Sequence, residues 1–228
     1  MSDGLRLLRD KLCMDPSHFC RVCFEGRAAE KGQNPPNVFR VGTGTHAKIF
    51  FIFDKPNRND ENRAFVPIKI CDPRFNSNST QRNLLTLLDM LALVHPGFKP
   101  AHGAADQFDC DLVHITNAVK CDKSALSGEA GGIEVGGQQA RTCISTFLHR
   151  ELAIIQPKAL VFFGEPPYRY VVGNKIDPWK VRSIPIDGRT YWVMRVPHTT
   201  ATPFNSHGGK GVKYVEPFRR LLACAGLA

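Results

Sequence analysis

The amino-acid sequence predicts an α/β fold, a three-layer sandwich in which helices flank a central, mainly parallel four-stranded sheet. Segments with strand character alternate along the chain with segments of helical periodicity, as they do in folds built on parallel sheets. The strands are also nearly continuous apolar runs, such as residues 49–53, which is typical of strands buried on both faces. The chain has 228 residues and no low-complexity tract. We therefore expect one domain over residues 1–228, with cysteines in its N-terminal segment.

The first half of the chain predicts two helices and two strands. Leucine spacing indicates a short helix over residues 5–12, and the first strand covers residues 48–53. Ser79 or Thr80 can cap the next helix, which is amphipathic. The second strand covers residues 112–116. The apolar face of the amphipathic helix consists of Leu84, Leu87, Leu88 and Leu91.

The second half continues the alternation. A glycine-rich stretch leads into a helix that Pro157 ends, since proline cannot continue a helix. The third strand covers residues 159–163, and the fourth covers residues 191–196 after the turn Asp187-Gly188. A last helix covers about residues 215–224. The apolar side of the helix before Pro157 consists of Ile144, Phe147, Leu148, Leu152 and Ile155.

Composition and charge narrow the class of protein. Apolar residues make up 43% and charged residues 22% of the chain, which is close to globular averages and argues against disorder. The apolar runs are too short to span a bilayer, and the alternating charges of the first fifteen residues lead us to expect no secretory signal. We therefore expect a cytoplasmic, reducing environment. The net charge of +9 indicates a polyanionic partner, most simply nucleic acid.

Eight cysteines stand at positions 13, 20, 23, 71, 110, 121, 143 and 224. In a reducing compartment a disulfide framework is not expected, which leaves buried thiols, a metal site or a cluster. Cys71, Cys110 and Cys224 are most simply buried small side chains. Cys20 and Cys23 differ from these because they form a C-x-x-C pair.

Polar residues follow three of the predicted strands. The first strand is followed by residues 54–59, the second by residues 117–121 and the fourth by residues 197–200. Parallel strands bring their carboxyl ends to the same edge of a sheet, where ligands collect. We therefore expect these three clusters to meet at one edge and to form the functional site.

Several of these segments resemble the uracil-DNA glycosylase superfamily, and specifically its iron–sulfur branch. The resemblance rests on Ile115-Thr116-Asn117-Ala118-Val119-Lys120-Cys121, on Cys20-x-x-Cys23 followed by Arg27, and on Pro197-His198-Thr199-Thr200 at the place of a His-Pro-Ser loop. The start of a helix at residues 143–148 and the strand that ends at Gly164 also resemble that superfamily. Together these segments extend from about residue 13 to residue 220.

The resemblance implies a [4Fe–4S] cluster on four cysteines, and four thiolates are what such a cluster needs. Zinc on the same four sulfurs and four unliganded thiols are the alternatives. The cluster would be structural and would hold the N-terminal segment against the sheet. The implied ligands are Cys20, Cys23, Cys121 and Cys143.

The resemblance implies catalytic roles for two residues. Asp54 stands at the acidic position of a loop that usually reads Gly-Glu-Ala-Pro-Gly and here reads Phe53-Asp54-Lys55-Pro56-Asn57. It would position water and balance the cationic sugar, whereas alone it could simply cap a turn. His198 would donate a hydrogen bond to the departing base, although a lone histidine is more often a surface or core residue.

The base would be recognised by a second group of residues. The Asn117 amide offers a donor and an acceptor, which match N3–H and O4 of uracil, although a turn residue would look the same. Phe65 resembles the aromatic residue that stacks on the flipped base, although such a residue is more often part of a core. The substrate-binding set is completed by Pro56 and Asn57.

DNA contacts are expected from the segments after the last strand. Thr199 or Thr200 offers a hydroxyl to a phosphate, and Phe204 resembles the apolar tip that fills the hole left by the flipped nucleotide. His207 and Lys210, together with Lys213, can neutralise phosphates. A solvated surface loop is the alternative.

These expectations predict a monofunctional glycosylase that removes uracil from single- or double-stranded DNA in base-excision repair, acts as a monomer and has no membrane partner. Three alternatives stay open. The chain could act on other deaminated bases such as hypoxanthine, because the Asp54 loop departs from the usual sequence. It could be a non-catalytic module that binds abasic sites or nucleic acid. It could also be a zinc-stabilised DNA-binding protein.

Overall fold

The computed structural model describes residues 4, 47–54, 79–99, 110–119, 137–174, 177–200, 204 and 211–228. The predicted helix over residues 5–12 and the glycine-rich stretch over residues 127–136 lie outside these ranges. All four predicted strands lie within them.

Five strands form one sheet in the order β2-β1-β3-β5-β4. Neighbours are parallel from β2 through β5, and β4 is antiparallel to β5. This confirms the α/β class and the mainly parallel sheet. The strands are β1 (Ile49–Phe53), β2 (Val113–Asn117), β3 (Ala159–Phe163), β4 (Val181–Ile186) and β5 (Arg189–Val196).

The predicted count of four strands is wrong by one, because β4 was missed. This strand is only partly buried and contains polar residues and Pro185, so it lacks the apolar run by which the other strands are recognised. Proline is tolerated there because β4 is an edge strand. Asp187 and Gly188 have φ angles of 49° and 74°, as an Asp-Gly type I′ hairpin turn requires. The Asp187-Gly188 dipeptide was therefore the feature of the sequence that indicates a hairpin, and with it a strand before β5.

Helices cover both faces of the sheet. A 3₁₀ turn, Pro96–Phe98, follows α1, and α2 consists of three consecutive segments. Helix α3 was not predicted from sequence; it begins with Glu165-Pro166-Pro167, and prolines are compatible with the first turn of a helix. The helices are α1 (Ser79–Ala92), α2 (Gly137–Cys143, Ile144–Leu148 and His149–Ile155), α3 (Glu165–Val172) and α4 (Val212–Cys224).

The middle segment of α2 is a π-helical turn, which the periodicity did not predict. Two hydroxyl groups bond to the carbonyl oxygen of Thr142: Ser145 Oγ donates at 3.0 Å and Thr146 Oγ1 donates at 2.7 Å. Hydroxyls that bond back to the preceding turn compete with the regular helical hydrogen bonds. The wider turn at this position has a local cause in these side chains.

The sheet separates two hydrophobic clusters, which confirms the three layers. One face packs against α1 and α4, with Phe51 and Val161 of the sheet against Leu88 and Phe218. The other face packs against α2 and α3, with Phe162 of the sheet in the cluster of Leu152 and Tyr168. Successive strand residues point to opposite faces, so these uninterrupted apolar runs fill both clusters.

Candidate active site

The carboxyl ends of β2, β1, β3 and β5 lie side by side at one edge of the sheet. The pairing register aligns Asn117 with Phe53 and Phe163 with Val196. Chain order reverses between β1 and β3, because β2 lies on one side of β1 and the later strands lie on the other. Such a switch point opens a crevice at the strand ends, where α/β proteins bind ligands.

Asp54 and Asn117 belong to neighbouring strand ends. The amide of Ala118 donates to the carbonyl of Phe53 at 2.7 Å, and the amide of Val119 donates to the carbonyl of Asp54 at 2.9 Å. The parallel pairing of β1 and β2 therefore continues past both strands. Neighbouring strands lie about 4.8 Å apart, so Asp54 and Asn117 are held close together by their backbones.

Asn117 is largely buried, with 8% of its surface exposed. Val113 and Ile115 of the same strand contribute to the cluster beneath α1 and α4. Because side chains alternate along a strand, Asn117 points to that same face. Phe53, which is paired with Asn117, and Phe163 of β3 belong to that cluster too.

An aromatic contact joins β1 to the segment after β5. The rings of Phe53 and Phe163 stack with centroids 4.4 Å apart. The imidazole of His198 meets Phe53 edge to face, with centroids 5.5 Å apart. His198 thus lies on the side of the sheet to which Asn117 points. The two strand ends that carry Asp54 and His198 are separated only by β3.

The segment around His198 is fixed by hydrogen bonds from two helices. Asn83 Nδ2 of α1 donates to the carbonyl of Thr199 at 2.8 Å. Tyr214 Oη of α4 donates to the carbonyl of Pro197 at 3.0 Å. Neither side chain was predicted from sequence to belong to the site. Their partners are backbone carbonyls 116 and 17 residues away, so no local motif could have pointed to them.

Burial lowers the pKa of His198 below its ordinary value, because an apolar environment disfavours the charged imidazole. Among the described residues, its buried Nδ1 has no hydrogen-bond partner. His198 is therefore a neutral imidazole at neutral pH. A neutral imidazole has one N–H donor and one acceptor nitrogen.

Two of the predicted DNA contacts need correction. Thr199 is fully buried, so its hydroxyl does not face solvent as a phosphate contact requires. Phe204 was expected at an exposed loop tip, but it is 2% exposed and packs near Tyr214, with ring centroids 5.8 Å apart. An aromatic ring held in the core does not fit a wedge. Thr200 is exposed and stays a prediction.

The remaining predicted site residues lie outside the part of the chain that the structure describes. They are Pro56, Asn57, Phe65, Cys20, Cys23, Cys121, His207 and Lys210. Their roles stay predictions.

Three cysteines fall within the described ranges, and they differ in setting. Cys110 is buried and its Sγ donates to the carbonyl of Gly97 at 2.9 Å, as expected of a core thiol. Cys224 is exposed, contrary to the expectation of burial. Cys143 is 3% exposed, and the next residue, Ile144, shares a cluster with Ala118. Cys143 thus lies on the face of the sheet that packs against α2 and α3.

Within the described ranges, no group of three or more His, Cys, Asp or Glu side chains could hold a metal ion. Three of the four cysteines implied by the resemblance lie outside those ranges, so this finding does not test the cluster. No described helix has both the length and the apolar character needed to cross a membrane.

The fold is that of an α/β protein with polar residues at the switch point of its sheet, where proteins of this class bind ligands. Residues 39–222 match the family model of the uracil DNA glycosylase superfamily. The chain belongs to that superfamily. Membership supports a DNA glycosylase in general, a hydrolase that acts on DNA in repair. Among curated proteins, no match was found.

Proposed function

We propose that this protein excises uracil from DNA by hydrolysing the N-glycosidic bond, leaving an abasic site. The observation that carries the proposal is the meeting of three strand ends, which bear Asp54, Asn117 and His198, at the switch point of the sheet. Membership of the superfamily supports the reaction class. The choice of uracil rests on the chemistry of these three residues.

Asp54 acts on the sugar side of the reaction. Its carboxylate orients a water molecule toward C1′ and balances the positive charge that develops on the sugar. As the C1′–N1 bond breaks, its electron pair leaves with the base and the water oxygen bonds to C1′. A carboxylate next to the attacking water can accept its proton. General-base catalysis of this kind contributes about 10²–10⁴-fold in rate.

His198 acts on the base side. Its neutral imidazole donates a hydrogen bond to the carbonyl oxygen of uracil on which negative charge develops. Burial supports this role, because it keeps the imidazole neutral and because a fixed donor is more effective in a water-poor site. The edge of Phe53 limits the room in which the imidazole can turn.

Release of uracil from a labelled oligonucleotide, without added metal or nucleotide, tests the proposal. Both single- and double-stranded substrates should be cleaved at the uracil position after alkaline treatment. Release of hypoxanthine but not uracil would reassign the substrate. If the protein releases no deaminated base but binds tightly to an abasic site, the proposal of an enzyme is contradicted and a binding module is favoured.

Single-turnover rates of Asp54→Asn and His198→Ala test the two roles. We expect losses of about 10²–10⁴-fold and about 10²–10³-fold, respectively. Lys48→Ala is the control. Lys48 is exposed just before β1, at the amino ends of the parallel strands, and the candidate site is at their carboxyl ends. Rates equal to that of the control would reassign both residues to structure.

We also propose a structural [4Fe–4S] cluster held by Cys20, Cys23, Cys121 and Cys143. The buried sulfur of Cys143 at the start of the π-helical turn supports one of the four ligands. Such a cluster would contribute cross-links between segments and no step of the hydrolysis. Purified protein should be brown and contain four iron and four sulfide per chain. Cys143→Ser should lose iron, whereas Cys224→Ser should keep it; zinc in place of iron would contradict the cluster.

A further inference from the structure

The loop that carries His198 is held by two side chains, which donate hydrogen bonds to backbone carbonyls of the loop on either side of the histidine. Tyr214 Oη donates to the carbonyl of Pro197 at 3.0 Å, and Asn83 Nδ2 donates to the carbonyl of Thr199 at 2.8 Å. The two donors come from different helices, α4 and α1. The peptide group directly before His198 and the peptide group that follows Thr199 are therefore each held by a side chain of a helix.

This arrangement leaves the imidazole little freedom. The two hydrogen-bonded carbonyls, of Pro197 and Thr199, restrict the backbone between them, and this backbone sets the direction in which the His198 side chain leaves the chain. The side-chain torsions are then restricted by the Phe53 ring, whose centroid lies 5.5 Å from that of the imidazole at an interplanar angle of 82°. A catalytic donor must be held close to its productive geometry, because small misplacements cost much of the rate.

Tyr214 is itself rigidly placed. Its side chain is 1% exposed, and its ring meets Trp179 edge to face, with centroids 4.8 Å apart. Phe204 lies on the same ring, with centroids 5.8 Å apart. Burial raises the pKa of Tyr214 far above its ordinary value, so the hydroxyl keeps the proton that it donates.

Asn83 has a similar support. It directly precedes Leu84, which is buried in the cluster between α1 and the sheet. The position of its amide is therefore set by the packing of α1. Because α1 is packed in the core, the amide of Asn83 holds the carbonyl of Thr199 in a fixed position.

We propose that Asn83 and Tyr214 are positioning residues, which aim the imidazole of His198 at the base to be excised. This inference rests on the proposed function for its meaning in catalysis. The hydrogen bonds themselves are independent of it. Neither side chain needs to touch DNA in this role.

Single-turnover kinetics test the catalytic part. Tyr214→Phe and Asn83→Ala should each slow base release about tenfold with little change in the dissociation constant for uracil-containing DNA. In a His198→Ala background, the same substitutions should have no further effect, because nothing is left to position. Equal losses in both backgrounds would overturn the proposal, since they would indicate general damage to the fold. Tyr191→Phe, at another buried tyrosine on the opposite face, is the matched control and should not change the rate.

Histidine titration by NMR tests the structural part without any activity. In Tyr214→Phe and Asn83→Ala, the released loop lets water reach the imidazole, so the pKa of His198 should move up toward its ordinary value. Tyr191→Phe should leave it unchanged. An unshifted His198 in both variants would overturn the proposal. Should the wild type release no base, the proposed function fails, and this titration alone decides whether the two residues hold His198.

Discussion

The imidazole of His198 lies against an aromatic ring and has lost most of its contact with water. That environment lowers its pKa, and it has a consequence for stability as well as for chemistry. An unfolded chain exposes the imidazole, which then titrates near its ordinary value of about 6.5. The folded protein takes up that proton only at lower pH.

Stability should therefore fall as the pH drops below about 6.5, because the unfolded state binds a proton that the folded state refuses. Above that value the contribution of His198 is fully present. Urea denaturation of the wild type and of His198→Gln at pH 7.5 and pH 5.5 measures this. The variant should lose less stability between the two pH values. Equal losses in both proteins would contradict a buried neutral imidazole.

Asn117 provides a prediction about base choice. Asn117→Asp replaces the amide donor with a second acceptor oxygen, which suits the exocyclic amine of cytosine better than O4 of uracil. The ratio of uracil release to cytosine release should fall, with the loss of uracil release as the larger part. Competition between matched oligonucleotides that differ at one base measures the ratio. An unchanged ratio would remove Asn117 from base recognition.

Gly211 provides a prediction about packing. Its φ is +86°, and a Cβ at this position would lie 2.7 Å from the ring of Phe204. Gly211→Ala should lower the free energy of unfolding by about 1–3 kcal/mol, because both the backbone and the ring must move. Gly173→Ala is the matched control, because Gly173 has a φ of +83° with no atom within 4 Å of its Cβ position. A difference in stability between the two variants isolates the contact with Phe204.

Among the elements, β2 and α2 are joined by a buried polar pair. His114 Nε2 lies 3.6 Å from Glu151 Oε2, and both side chains are fully buried. The Phe50 ring covers the imidazole, with centroids 4.5 Å apart. The pair connects the strand that ends in Asn117 to the helix that contains Cys143.

Breaking this pair should be costly. Glu151→Leu should lower the free energy of unfolding by about 1–3 kcal/mol, because the imidazole of His114 loses a buried polar partner. The double variant with His114→Leu should cost less than the sum of the two single variants. Urea denaturation measures all three. The control Glu216→Leu removes an exposed carboxylate near Arg219 and should change stability by less than about 0.5 kcal/mol; strict additivity in the double variant would contradict the coupling.

The elements that the sequence predicted best are those whose own residues determine them. The apolar runs of β1, β2 and β3 and the leucine spacing of α1 are local signals, and each appears in the structure. β4 was missed because an edge strand needs no continuous apolar run. The π-helical turn was missed because apolar periodicity indicates a helix without showing whether one of its turns has π-type hydrogen bonds.

The candidate site shows the same division. Asp54, Asn117 and His198 could be grouped from sequence because each lies at or just after the carboxyl end of a parallel strand, and these ends meet at one edge of the sheet. The contacts of Phe53, Asn83 and Tyr214 with the His198 loop depend on the packing of distant elements. The burial of Phe204 was missed for the same reason: a polar surrounding sequence suggested exposure, whereas Tyr214 provides an apolar surface for its ring.

For the molecule as a whole, the net charge of +9 favours association with DNA. Each phosphate neutralised by a lysine adds about −0.9 to the slope of log binding constant against log salt concentration. Lys213 is exposed at the start of α4, next to the tyrosine that reaches the His198 loop, and so lies near the proposed DNA surface.

Lys213→Ala should therefore reduce the magnitude of the salt slope by about 0.9. Lys48→Ala should leave the slope unchanged, because Lys48 lies at the opposite edge of the sheet. Fluorescence anisotropy with a labelled oligonucleotide at several salt concentrations measures both. Equal slopes for the wild type and both variants would place DNA elsewhere on the surface.

The hydrogen bond from Tyr214 of α4 to the carbonyl of Pro197 has a consequence during synthesis of the protein. A nascent chain that has emerged as far as Thr200 already contains Asp54, Asn117 and His198, but it lacks Tyr214. Parallel strands pair only across long stretches of chain, which makes their assembly slow. The last helix thus supplies one of the hydrogen bonds that hold the proposed catalytic loop, and a chain that ends before α4 should release uracil more slowly than the complete protein.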